Sequence, residues 1–324
     1  MVQMLAQVLV SPGKLELQSI PKPGCGDDEI LVKMRSAALC NGSDPQIFDG
    51  KEGYPTPLVF GHEPFGHIEA CGKHVQEYRE GEAVTWWFSL GAFAEYAVVN
   101  PSNVGMAKVS DWLSPREAPI LELVAAAGRA VSTASVSKGD RVLVLGLGPS
   151  GLVMSQWLKA LGAEAVVGWD LYPMRRDMGA KLGCDLVDTS LNPDAATRVL
   201  SAVGEIDIVM DAMGDDVSPQ EDTLDKAIAT LRQGGRLVTY GHPPSGRRFN
   251  PFLFQRKGAS LTCAQTTMEQ VTQMIYEAQR MIRDGTLDIA SLVSEEVSLQ
   301  DVPRALAQLR SDPNRFLKVI VNVS

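Results

Sequence analysis

From about residue 138 the chain alternates between two kinds of hydrophobic pattern. "DRVLVLGLG" is a continuous apolar β run, and "SGLVMSQWLKALG" after it reads as a helix. A strand "AVVGWD", a helix "MRRDMGAKLG", a strand "IDIVMDAMG", a helix "TLDKAIATLRQGG" and a strand "RLVTYG" follow in turn. Such alternation predicts an α/β domain, a doubly wound parallel sheet covered on both faces by helices. The first third differs. "EILVKMRSAALC" and "AEYAVVN" alternate or run apolar, and "PKPGCGDDE", "EGYPTP" and "REGE" interrupt them, which predicts a β-rich domain of short strands. Near the C-terminus a helical stretch, "MEQVTQMIYEAQRMIRDG", precedes an apolar strand, "FLKVIVNV", expected to rejoin the N-terminal domain. The expected organisation is a β-rich domain over 1–123, completed by 263–324, and an α/β domain over 124–262.

Composition narrows the partners. Over 324 residues the net charge is −9, with a pI near 5.1. That balance repels nucleic acid and anionic membranes. No apolar run is long enough to span a bilayer, and "MVQMLAQVLVSPGKLELQ" lacks the basic head and apolar stretch of a secretion signal. Cys25, Cys40, Cys71, Cys184 and Cys263 are odd in number and scattered, with no C-x-x-C pair. They suggest neither a disulfide framework nor a four-cysteine zinc site, and a cytoplasmic enzyme is the expectation.

The first chemistry lies in "VLVLGLGPSG", which places Gly146, Gly148 and Gly151 in G-x-G-x-x-G spacing between a strand and a helix. Asp170 ends the next strand 19 residues after Gly151. In that context the glycines read as a dinucleotide site. Gly146 permits the tight turn, Gly148 lets the backbone approach a pyrophosphate, and Gly151 lets helix and strand pack closely. The N-terminus of the helix that opens with Pro149 and Ser150 supplies amide donors to phosphate. A carboxylate at Asp170 suits the two hydroxyls of an adenosine ribose and repels a 2′-phosphate, which favours NAD. Arg175 and Arg176 nearby leave NADP open, and a helix cap at Asp170 is the plain alternative.

The second lies in "AALCNGSDPQIFDG" and "VFGHEPFGH". On residue type alone Cys40 is either a ligand sharing a metal with His62 or an ordinary buried thiol, and Glu122 in "PILELVAAAG" is either a site residue or the partner of Arg129. Taken in order, "FGHEPFGHIEACG", "GAFAEYAVV", "LEL", the glycine loop and the return strand resemble the medium-chain dehydrogenase/reductase superfamily, in its zinc-dependent alcohol and polyol dehydrogenase branch, over nearly the whole chain. The resemblance implies a GroES-like β-rich catalytic domain and a Rossmann nucleotide domain. It implies one catalytic zinc held by Cys40, His62 and Glu122, with Glu63 beside the metal. Asp44 would partner the other nitrogen of His62, and Ser43 would take the alcohol proton. The implied reaction is NAD-linked oxidation of a secondary alcohol, polyol or sugar-like substrate to the ketone, in a homodimer or homotetramer. A thiolate, an imidazole and a carboxylate suit zinc with an open fourth position, where it acts as a Lewis acid.

Three features depart from the family pattern. The loop reads C-N-G-S-D, one residue longer than the usual form. Gln46 stands where alcohol dehydrogenases often carry a histidine. "VTWWFSLGAFAEY" runs straight through where a four-cysteine lobe would lie, so no structural zinc is expected. In "TWWFS" alternation sends Trp86 and Phe88 to one face, either a wall of the substrate pocket or part of the core. His67, His74 and His242 read as structural or surface residues. Two other functions stay open: a zinc-free enoyl or quinone reductase of the same superfamily, and a nucleotide-binding protein without turnover.

Overall fold

The computed structural model describes residues 2–87, 89–214, 223–241, 246–265 and 267–323. The chain divides into two units, 1–126 with 266–324, and 127–265. In the first unit β1 (Gln3–Ser11) and β2 (Lys14–Pro21) form an antiparallel hairpin. β3 (Ile30–Leu39) is buried almost throughout and leads into the six-residue helix α1 (Ser43–Phe48). β4 (Leu58–Val59) pairs with β1, and β5 (Glu63–Cys71) and β7 (Tyr96–Val99) both pair antiparallel with β3. β6 (Ala83–Trp87) joins β5 to β8 (Gly105–Lys108). The first division between the units falls inside α2 (Ile120–Ala134).

The second unit alternates strand and helix. Its elements are β9 (Arg141–Leu145), α3 (Pro149–Ala160), β10 (Ala165–Trp169), α4 (Pro173–Lys181), β11 (Leu186–Asp188) and α5 (Ala195–Val203). They continue with β12 (Ile206–Asp211), α6 (Thr223–Thr230), β13 (Leu231–Thr239), α7 (Pro251–Arg256) and β14 (Ser260–Cys263). All six strands are parallel, in the order β11-β10-β9-β12-β13-β14. Chain order reverses at β9, and the neighbouring strands leave on opposite sides. This is the switch point of a doubly wound sheet, with a crevice at the C-terminal ends of β9 and β12. Val142 to Leu145 and Ala165 to Trp169 are buried along their length, as strands covered on both faces must be.

One expected element differs. "TLDKAIATLRQGG" reads as a single helix, but α6 stops at Thr230 and β13 begins at Leu231. Leu231 is fully buried opposite Ile206, and Gly234 takes a φ of +70°. The two glycines are poor helix residues, and burying Leu231 in the sheet outweighs the local preference.

The chain then returns to the first unit through α8 (Met268–Arg283), β15 (Val293–Ser298), α9 (Val302–Ser311) and β16 (Lys318–Asn322). β16 lies antiparallel to β3, with Val319 opposite Leu39. The last strand therefore does rejoin the N-terminal sheet, ordered β15-β16-β3-β5-β6-β8. Among the described residues no helix is long and apolar enough to cross a membrane. All five cysteines are free thiols.

Candidate functional site

In the first unit the site is built where β3 ends and β5 begins. Ala38 at the end of β3 pairs with Glu63 at the start of β5, so Cys40 and the "GHE" segment arrive side by side. Gly61 makes that arrival possible. Its φ is +85°, and a Cβ there would lie 2.6 Å from the Phe93 ring, so any other residue displaces the turn that delivers His62. Asp44, wholly buried in α1, accepts a hydrogen bond from the Cys40 backbone N–H through Oδ2 at 2.8 Å. Its Oδ1 stands 3.1 Å from His62 Nδ1, within ion-pair range but not aligned as a hydrogen bond. One carboxylate thus holds both the cysteine loop and the imidazole, leaving Nε2 as the ring's metal-binding atom. Burial works against charge on His62, but Asp44 and then Cys40 outweigh it and hold its pKa well above 6.5. The Ser43 backbone N–H lies 3.5 Å from the Cys40 sulfur.

Among the described residues, Cys40, His62 and Glu63 bring their donor atoms within 4.8 Å of one another. Glu122, in the first turn of α2, is buried too, but is not part of that trio. Its charge is felt at Lys318, a residue that sequence reasoning missed. Lys318 Nζ donates to both carboxylate oxygens of Glu63 at 2.5 and 2.6 Å and to the Leu39 carbonyl at 3.0 Å. Both side chains are essentially sealed from solvent. Burial alone lowers the lysine's pKa; Glu63, Cys40 and Glu122 more than reverse this, and the residue stays charged. The available signal was a single cation inside the apolar run "FLKVIVNV". Trp86 belongs to this unit's core cluster with Ile47, Phe60 and Phe93, and Phe88 and His242 lie outside the described residues. His67 is partly buried edge-on to Phe65, and His74 is exposed with Asp28 2.8 Å away.

In the second unit the three glycines of the loop differ in their packing. Gly146 takes a φ of +88°, and a Cβ on Gly151 would lie 1.9 Å from the Gly146 carbonyl oxygen. Around Gly148 the nearest atom to such a Cβ is Arg175 Nη1 at 3.9 Å, so its outer face stays open for close approach. α3 starts there with Pro149 in its first turn, and the Ser150 hydroxyl is 3.1 Å from the Tyr240 hydroxyl. Asp170 is buried. Its two oxygens accept from the backbone N–H groups of Leu147 and Tyr172, each at 2.8 Å. Burial raises its pKa, and Arg175, 3.9 Å away, pulls in the opposite direction. Arg175 stacks over the Tyr172 ring, whereas Arg176 donates to the carbonyls of Asp170 and Leu171. Asp170 and Arg175 therefore meet beside Gly148, and Arg176 is committed to the backbone.

Residues 26–111 match the family model described as alcohol dehydrogenase GroES-like domain, and residues 149–282 match the one described as zinc-binding dehydrogenase. The chain is similar to a sorbitol dehydrogenase of Bacillus subtilis (strain 168), 24% identical, covering 98% of this chain and 97% of the relative. It is also similar to an L-threonine 3-dehydrogenase of Chelativorans sp. (strain BNC1), at 28% identity and 92% coverage of both. Among solved structures it superposes on an alcohol dehydrogenase from Thermus sp. ATN1 with a TM-score of 0.86 and 25% identity, covering 99% of this chain and 100% of that one.

Proposed function

Because the chain belongs to the medium-chain dehydrogenase/reductase superfamily, in its zinc-dependent alcohol and polyol dehydrogenase branch, we propose that it is an NAD-dependent zinc dehydrogenase of secondary alcohols, polyols or sugar-like substrates. The observation that carries this reading is the meeting of the Cys40 thiol and the His62 imidazole, two donor types that zinc prefers, with the Glu63 carboxylate beside them, all within 4.8 Å. Cys40 and His62 would hold the ion with one carboxylate. Glu122 is our assignment for the third ligand on the family resemblance, and both oxygens of Glu63 are held by Lys318. Zinc, when bound, supplies a Lewis acid that makes the alcohol hydroxyl more acidic.

The chain's own residues do the rest. Asp44 holds the His62 imidazole and the Cys40 loop in position. Ser43 would accept the alcohol proton, and the Gln46 amide, which cannot titrate, would not carry it onward. A nicotinamide cofactor, when bound, would supply the hydride acceptor that oxidation of an alcohol to a ketone needs. Asp170 would favour NAD, since a carboxylate there suits ribose hydroxyls and repels a 2′-phosphate, and Arg175 would lie nearby. Five free thiols suit a cytoplasmic setting. β14, at the edge of the sheet with all four residues exposed, suits pairing of two copies.

Metal analysis with an NAD-linked alcohol screen tests the whole reading. About one zinc per chain is expected, together with NADH formation from a diol or secondary alcohol. Cys40→Ala should lose both zinc and turnover and still bind NADH. Metal-free wild-type protein that reduces a conjugated enone with NADPH would instead establish the zinc-free reductase.

A further inference from the structure

We propose that Arg247 is a positioning residue of the dinucleotide crevice, acting through the segment that follows β12. Asp211, the last residue of that strand, pairs in register with Leu145, the residue before the glycine turn. The Ala212 N–H donates to the Leu145 carbonyl at 2.9 Å. A Cβ on Gly146 would lie 3.0 Å from the Ala212 carbonyl oxygen and 3.1 Å from Met213 Cα, so this segment lies directly against the turn. On its other side the Tyr240 and Gly241 N–H groups donate to the Asp211 carbonyl, and a Cβ on Gly241 would lie 2.1 Å from the Met213 carbonyl oxygen. Residues 211–213 are thus the layer between the glycine turn and the end of β13.

Arg247 clasps that layer. Its Nε lies 3.2 Å from Asp211 Oδ2, and its Nη2 donates to the carbonyls of Met213 at 2.5 Å and Gly214 at 3.0 Å. The carboxylate is almost fully buried, and the guanidinium is mostly so. A guanidinium needed only to neutralise Asp211 would have no reason to engage two carbonyls. Both carbonyls lie beyond Asp211↔Thr239, the last ladder pair between β12 and β13, so Arg247 supplies partners that the ladder does not. Tyr240, next to the same clasp, reaches Ser150 in the first turn of α3, where the backbone N–H groups suited to phosphate begin. Removing Arg247 therefore frees the layer on which the glycine turn rests.

The inference depends on the reading that this unit binds a dinucleotide, and NADH titration separates the two. Wild type, Arg247→Met, Arg247→Lys and the double variant Arg247→Met/Asp211→Asn are compared by NADH fluorescence, thermal midpoint and zinc content. Arg247→Met should lose stability, because it strands a buried carboxylate, and its NADH Kd should rise about tenfold. In the double variant the stranded charge is gone, so stability should return, but the Kd should stay about tenfold high because the carbonyls remain unclasped. Arg247→Lys, with a charge but no fork, should fall between, and zinc content should not change. Recovery of wild-type NADH affinity in the double variant, or unchanged affinity in Arg247→Met, overturns the positioning role. Should Arg247→Met not fold, the double variant decides alone. Wild type that binds no NADH would sink the nucleotide reading, and this inference with it.

Discussion

Lys318 is a fully buried cation, a condition lysine accepts only with a partner at hand. Its ammonium group and the Glu63 carboxylate have exchanged water for one another and for the Leu39 carbonyl. The energetic consequence is asymmetric. The pair itself adds little over a well-packed apolar pair, but breaking it leaves a bare charge inside the unit. Lys318→Met should therefore lower the unfolding free energy of the metal-free protein by about 3–5 kcal/mol in urea titrations, and Lys318→Met/Glu63→Gln should recover most of the loss. Its pKa is raised from the ordinary 10.5, so its contribution is present at every lower pH and disappears only as pH climbs through the raised value. Stability near neutrality should show no titration from this residue. Nothing local predicts the lysine's partner. Position 318 lies 255 residues from Glu63, and only the pairing of β16 with β3 brings its side chain to the site.

At the scale of elements, the strand–turn–helix of β9, the glycine loop and α3 was fully legible, because each glycine answers a local constraint. Gly151 is the strictest. A methyl group 1.9 Å from the Gly146 carbonyl oxygen must push either the helix or the turn aside. Gly151→Ala should cost about 1–3 kcal/mol of stability and raise the NADH Kd at least about tenfold by fluorescence titration. The metal loop was half legible. Cys40, Asp44 and His62 stand together, with the extra residue of C-N-G-S-D in the loop. Glu63, the immediate neighbour of His62, brings its carboxylate into the same cluster. α6 was misjudged, since its last residues are claimed by a strand partner at Ile206 that no helical pattern reveals.

The whole molecule consists of one chain that leaves its β-rich unit at residue 126 and re-enters it at 266. The six-stranded sheet ends at β14, whose residues are all exposed, with Leu261 at 46%. An edge of this kind invites a second copy, and a charge placed on it is the usual defence. Light scattering after gel filtration should give at least twice the 35.0 kDa chain mass for the wild type, and Leu261→Lys should shift it towards the single chain. A wild-type mass equal to one chain would remove the dimer from this account. By itself the sequence determined the periodicities of strand and helix, the glycine turn that only glycines can make, and the residue types able to hold a metal. All of these depend on neighbours within a few tens of residues. Tertiary structure alone decided that Lys318 neutralises Glu63 and that Arg247 clasps the end of β12. Those contacts join segments brought together by sheet pairing, and a pairing partner depends on the rest of the chain rather than on the residues of either segment.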